Sequence, residues 1–121
     1  MRRPSHKEIT NKIKQAKRAI GNDRLLFIKQ SSLVSDSLEL GYLFSTEIKK
    51  ILVNLLNKAS PENYAGLRPP QKSYEQKIYG SELFAFRTKC DILNETIYFK
   101  FVLANDCIYL ISLHKHRATM K

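Results

Sequence analysis

Four residues in the last third of the sequence could do chemistry together: Arg87, Tyr98, Lys100 and His114. They fall in three runs of alternating side chains, residues 83–88, 97–103 and 108–114. Because successive strand residues point to opposite faces, the four side chains share one face of a predicted sheet, with Ser112 beside them. An imidazole gives or takes a proton near neutral pH, and neighbouring cations can hold an anion such as phosphate. The pattern predicts acid–base chemistry on an anionic substrate; the alternative is a solvated sheet surface.

The opposite face of the same three runs is almost wholly apolar and is predicted to be the core. Its members are Phe84, Phe86, Ile97, Phe99, Phe101, Leu103, Tyr109, Ile111 and Leu113. The alternation assigns Val102, Ile108 and Leu110 to the polar face, near the strand ends.

Helices must cover the apolar face. Ser5 and Glu8 fit a capping box at the start of a helix whose apolar residues recur at helical spacing: Ile9, Ile13, Ala16 and Ile20. A short helix over 31–40 is predicted to end at Gly41. The strongest stripe belongs to the next helix, with Ser45 or Thr46 as its N-cap: Ile48, Ile51, Leu52, Leu55 and Leu56.

The remaining segments permit alternatives. Residues 24–29 are an edge strand or an extended connector, and 73–79 are predicted as a first sheet strand. Residues 59–72 contain prolines, a glycine and basic residues, which favours either a substrate flap or a plain connection. Hairpin connections are predicted at 90–95 and 104–106.

This order of elements predicts one α+β domain spanning residues 1–121. We expect two layers, in which N-terminal helices pack on one face of a C-terminal antiparallel sheet of three or four strands. The other face would be exposed or covered by a partner.

Composition adds a charge argument. The chain has 21 Lys and Arg against 11 Asp and Glu, a formal net charge of +10. Such an excess predicts nucleic acid or an acidic protein as partner; the alternative is that the lysines only solubilise. We expect a cytoplasmic protein without a membrane partner, because no signal-peptide or membrane-spanning stretch is found. Cys90 and Cys107 lack metal-ligand spacing, and no metal or cofactor site is predicted.

Several motifs recur in a recognisable order. Pro4-Ser5-His6 precedes the basic first helix, and Leu38-Glu39-Leu40-Gly41 ends the second. The link NLLNKASPENY covers residues 54–64. The meander contains Glu82-Leu83-Phe84, Ile97-Tyr98-Phe99-Lys100 and Ile111-Ser112-Leu113-His114. The series resembles the MqsR family of toxins, the mRNA interferases of type II toxin–antitoxin systems, which share the RelE-like fold.

The resemblance implies a metal-free endoribonuclease that needs no cofactor, acts on free or ribosome-bound mRNA, and is silenced by a cognate antitoxin. Family sites use tyrosine, lysine, arginine, glutamine or histidine from the sheet. The matching catalytic residues here are Tyr98, Lys100 and His114. A lysine of some family members falls near Gly66 here, and a glutamine falls near Ala85. Arg87, Lys72 or Lys77 would have to compensate for these two missing side chains.

Further RNA contacts are predicted from basic and aromatic residues near the sheet. They are Lys72, Lys77, Arg68, Tyr79, Lys115 and Arg117, with Tyr74 as a second ring for stacking bases. The alternative function is a non-catalytic basic module, such as a degenerate toxin, that binds RNA or an acidic protein. The departures at Gly66 and Ala85 favour that alternative, and the grouping of Tyr98, Lys100 and His114 favours the nuclease.

Overall fold

Three helices precede the main sheet strands in the computed structural model, which describes residues 5–66 and 70–116. The helices are α1 (His6–Gly21), α2 (Gln30–Leu40) and α3 (Phe44–Lys58). The strands are β1 (Leu25–Phe27), β2 (Phe84–Cys90), β3 (Glu95–Ala104) and β4 (Cys107–Lys115). Two 3-10 turns lie between α3 and β2, at Pro61–Asn63 and Gln76–Ile78.

The four strands form one sheet in the order β1-β4-β3-β2. Strands β2, β3 and β4 form the predicted antiparallel meander, whereas β1 pairs parallel to β4. The sheet is therefore mixed, and the expectation of a wholly antiparallel sheet was wrong at this edge. Of the two alternatives for residues 24–29, the edge strand is correct. Parallel pairing is possible here because α2, α3 and the following loop separate β1 from the meander.

Residues 73–79 are not a strand, which corrects a second expectation. The backbone N–H of Glu75 donates to Ser73 Oγ (3.0 Å), and the chain then forms the 3-10 turn at Gln76–Ile78. Ile78 is 2% exposed. The short alternation in this segment fits a strand equally well, but a serine that bonds to the local backbone favours a turn.

The start of α1 follows the prediction. Ser5 and Glu8 exchange hydrogen bonds, with N···O distances of 2.9 and 3.1 Å, and complete the capping box. Gly41 is the C-cap of helix α2, as predicted, and its φ of 81° is the left-handed conformation that glycine adopts without strain.

Helix α3 begins earlier than predicted. Its N-cap is Leu43 rather than Ser45 or Thr46, and the backbone N–H of Leu43 donates to Glu47 Oε1 (2.7 Å). The Glu47 carboxylate, in the first turn, therefore accepts the backbone N–H of the N-cap residue. Within the two described ranges, no helix has the length and apolar character needed to cross a bilayer.

All three helices pack on one face of the sheet, which confirms the two-layer α+β arrangement. The central side chains of this core are fully buried: Ile9, Ile20, Leu33, Ile51, Leu52, Leu55, Leu56, Phe86, Phe99 and Phe101. The rings of Phe86, Phe99 and Phe101 stack with centroids 5.6–6.2 Å apart. Burial of these apolar surfaces is the main force that holds the helices on the sheet.

A β-bulge in β4 changes which residues face the core. Lys100 pairs with Ser112 but Phe101 pairs with Leu110, so Ile111 is the extra residue. Ile108 and Leu110 consequently belong to the main core, against the prediction. The predicted core residues Tyr109 and Ile111 lie instead with a second cluster, whose buried members are Ile28, Ile78, Val102 and Tyr109. Strict alternation cannot detect one inserted residue.

Candidate functional site

The four residues with predicted chemistry lie together on the sheet face away from the helices. Arg87 pairs with Tyr98, and Tyr98 pairs with His114, so the three form one row across β2, β3 and β4. The next row contains Ala85, Lys100 and Ser112. Directly paired Cβ atoms in a sheet are about 5 Å apart, and the two rows lie about 7 Å apart along the strands, a distance that long side chains such as arginine and lysine can span. One phosphate could therefore contact side chains from both rows; the catalytic role of these residues stays a prediction.

Tyr98 and His114 form a ring stack at the centre of the first row. Their ring centroids are 5.1 Å apart and their planes differ by 22°. Burial raises the pKa of the Tyr98 phenol, and the neighbouring Arg87 guanidinium opposes that rise. The phenol therefore keeps its proton at neutral pH and can donate a hydrogen bond.

The tautomer of His114 follows from one contact. Its Nδ1 lies 2.9 Å from the backbone carbonyl oxygen of Lys115. A carbonyl can only accept, so Nδ1 carries the proton in the neutral ring and Nε2 is the basic nitrogen. The contact and the stack on Tyr98 fix the orientation of the ring.

The predicted RNA-binding residues divide into three groups. Lys72, Lys77 and Tyr79 are exposed in the loop over residues 71–83, and this loop lies on the same sheet face as the two rows, because its Ile78 belongs to the second cluster. Lys115 follows His114 by one residue and so lies on the opposite face, where its Nζ is 3.6 Å from Glu95 Oε2. Arg68 and Arg117 lie outside the described residues.

Sequence reasoning missed that the 71–83 loop covers part of the polar face. Ile78 packs with Val102 and Tyr109 and covers the polar face on the side of Lys100 away from Tyr98. The available signal was Ile78 itself, an apolar residue between polar neighbours. The loop therefore limits the candidate site to one half of the sheet.

Gly66 and Ala85 are explained by packing. A Cβ on Gly66 would lie 2.6 Å from the Tyr64 hydroxyl, so a larger residue there requires the tyrosine to move. Ala85 is buried opposite Lys100. Neither position supplies a polar side chain to the two rows. Among residues 5–66 and 70–116, no group of His, Cys, Asp and Glu has the arrangement to hold a metal ion.

Comparison with models of known protein families and with curated proteins finds no match for this chain. The fold and the site therefore define only a general class of protein. The chain is an α+β protein whose polar sheet face presents an imidazole, a phenol and two cations in adjacent rows.

Proposed function

We propose that this chain is a metal-independent endoribonuclease, an mRNA interferase, that acts as the toxin of a type II toxin–antitoxin system. The observation that supports this most is the cross-strand row of Arg87, Tyr98 and His114, with Lys100 in the next row. The resemblance to the MqsR family supplies the reaction class. The net charge of +10 suits an RNA substrate and an acidic antitoxin.

The chemistry we propose needs no bound cofactor. Nε2 of His114 takes the proton of a ribose 2′-OH, and the 2′-oxygen attacks the adjacent phosphorus. The P–O5′ bond breaks, which leaves a 2′,3′-cyclic phosphate and a 5′-hydroxyl. Arg87 holds two phosphate oxygens through parallel hydrogen bonds and stabilises the charge that develops there.

Tyr98 and Lys100 complete the proposed mechanism. The protonated Tyr98 phenol donates a hydrogen bond to the phosphate and supports the imidazole through the ring stack. The Lys100 ammonium lies in the next row, two residues along β3, and donates the proton that the leaving 5′-oxygen needs. Cleavage of mRNA would stop translation and growth in the cytoplasm, and an antitoxin bound to the protein would relieve the arrest.

A second candidate function is a non-catalytic module that binds RNA or an acidic protein through the same face. The observation that favours it is Ala85, which is buried opposite Lys100 and leaves β2 with no polar side chain in that row. In this case Arg87 and Lys100 act only as phosphate or carboxylate contacts.

Expression in growing bacteria discriminates between the two candidates. The nuclease predicts growth arrest, relieved by His114→Ala and by Tyr98→Ala but not by His116→Ala. His116 is an exposed histidine two residues farther on and serves as the matched control. Soluble expression at equal levels must be confirmed for each variant. Arrest that persists in both the His114 and the Tyr98 variants contradicts the proposed site.

A further inference from the structure

Two of the six tyrosines are exposed, and they are in contact. Tyr74 is 81% and Tyr79 is 72% exposed, whereas Tyr42, Tyr64 and Tyr109 are all below a tenth. The Tyr74 and Tyr79 ring centroids are 6.3 Å apart, with the planes at 60°. The edge contact leaves ring faces open to solvent. Two adjacent exposed rings form a contiguous apolar patch, and such patches are found at binding sites.

The loop that carries this tyrosine pair is held in one conformation by backbone hydrogen bonds. Ser73 N–H donates to Ser81 O (2.8 Å), Gly80 N–H to Ser73 O (2.9 Å), and Leu83 N–H to Gln71 O (2.7 Å). The φ of Gly80 is 81°, which allows the chain to reverse just after Tyr79. The two rings are therefore presented by a closed and hydrogen-bonded loop.

Side chains fix this loop to the body of the protein. Ile78 is buried against Val102 and Tyr109, and the Lys29 Nζ lies 3.2 Å from Glu75 Oε2. Because Ile78 stands directly before Tyr79, its burial sets where the exposed ring can lie. A ligand that meets a preformed pair loses little conformational entropy in ordering it.

The tyrosine pair stands beside the cationic rows. Val102, on which the loop is anchored, follows Lys100 by two residues on the same face of β3, a distance of about 7 Å along the strand. Lys77 lies between the two tyrosines in the loop and is exposed. A single chain bound at Lys100 can therefore reach the rings without crossing to another face.

We infer that Tyr74 and Tyr79 form a stacking site for two unpaired bases of single-stranded RNA, next to the phosphate contacts of Arg87 and Lys100. Stacking on an aromatic face accepts any base, and it requires the base to be unpaired. The inference rests on the proposed function in taking RNA as the ligand. An acidic protein would instead contact the lysines and gain little from two rings.

The test measures binding without cleavage. A fluorescent single-stranded RNA of about ten nucleotides carries 2′-O-methyl groups, so that it has no attacking 2′-OH. Its affinity is measured for the wild type, Tyr74→Ala, Tyr79→Ala, Tyr74→Phe and Tyr79→Phe. Leu38→Ala, in which the lost side chain is 76% exposed, is the matched control for removal of exposed apolar surface.

The stacking site predicts that each alanine variant loses about tenfold in affinity, while the phenylalanine variants and Leu38→Ala bind as the wild type does. An oligomer with abasic positions should bind all variants equally. Equal binding of intact RNA by the wild type and both alanine variants overturns the inference, and so does a failure of the wild type to bind RNA. The inference is also overturned if the wild type binds an acidic peptide and the alanine variants bind that peptide less tightly. Tight RNA binding, with no cleavage of either free or ribosome-bound mRNA, would contradict the nuclease but not the stacking site.

Discussion

At the scale of single residues, the central arrangement is the row of Arg87, Tyr98 and His114. The stack on Tyr98 and the Nδ1 contact with the Lys115 carbonyl together orient the imidazole. Alternation alone indicated that these side chains share a face. The predicted hairpins indicate which strands pair, but the exact register, the ring stack and the tautomer depend on the turn geometry and on the bulge, which alternation does not specify.

The influence of Arg87 on Tyr98 gives a prediction at this scale. Arg87 lowers the pKa of Tyr98 against the larger effect of burial, so Arg87→Ala should raise that pKa further. Ultraviolet titration of the phenols, with Tyr98→Phe used to assign the Tyr98 signal, measures the change. Lys89→Ala is the control, since Lys89 lies on β2 two residues beyond Arg87 and pairs with Thr96 instead of Tyr98. An unchanged or lower Tyr98 pKa in Arg87→Ala would show that the two side chains do not interact.

Tyr42 gives a second prediction, on stability. Its hydroxyl is buried and has no hydrogen-bond partner among the described residues, and burial, followed by the charges of Asp36 and Cys90, raises its pKa to about 12. At neutral pH, Tyr42→Phe should increase the free energy of unfolding by about 1 kcal/mol, because it removes an unsatisfied polar group.

The same residue should destabilise the protein in alkali. An unfolded tyrosine ionises near pH 10, before the folded one, so ionisation of Tyr42 leaves the free energy of unfolding unchanged below about pH 10 and lowers it as the pH rises toward about 12. Between about pH 8 and pH 11 the wild type should lose about 1 kcal/mol more than Tyr42→Phe. Urea unfolding at both pH values measures this, and equal losses would contradict the assignment.

At the scale of elements, the bulge in β4 decides which strand residues are buried. Helices α1 and α3 were predictable, because an apolar stripe at helical spacing has one simple interpretation. The bulge, the parallel strand β1 and the loop over 71–83 were not. Each depends on contacts between segments distant in sequence, such as Ile78 on Val102. The predicted grouping of Tyr98, Lys100 and His114 on one sheet face is nonetheless seen, since all three lie on the same side of the bulge, where the alternation is unbroken.

Ile78 should govern the attachment of the 71–83 loop. Ile78→Ala removes most of a side chain that is 2% exposed, and we expect a cost of about 2–4 kcal/mol. The lost stability should be confined to the loop, because Ile78 belongs to the second cluster and not to the main core. Proteolytic cleavage within 71–83 and hydrogen exchange of the Ser73 amide should both accelerate. Ile92→Ala, which changes an exposed isoleucine, is the control. Acceleration throughout α1 and α3 instead would mean that the loop is integral to the core.

At the scale of the whole molecule, the net charge of +10 should control RNA affinity. Binding to single-stranded RNA should weaken with rising salt, and each phosphate contact contributes about 0.7 to the slope of log K against log salt. Arg87→Ala and Lys100→Ala should each reduce the slope by about that amount. Lys115→Ala should leave it unchanged, because Lys115 is on the opposite face beside Glu95. Equal slopes in all four proteins would place the RNA elsewhere.

The proposed reaction makes one demand of the molecule as a whole, that it cut mRNA through attack by the 2′-oxygen, which leaves 5′-hydroxyl and 2′,3′-cyclic phosphate ends. The most direct measurement incubates the purified protein with a long mRNA in EDTA and maps the fragment ends, beside His114→Ala and His116→Ala. A parallel sample presents the same mRNA on translating ribosomes in magnesium buffer. The proposed mechanism predicts discrete cuts with 5′-hydroxyl and 2′,3′-cyclic phosphate ends in at least one sample, lost in His114→Ala and kept in His116→Ala. Intact mRNA in both samples, or cuts that survive in His114→Ala, would contradict it.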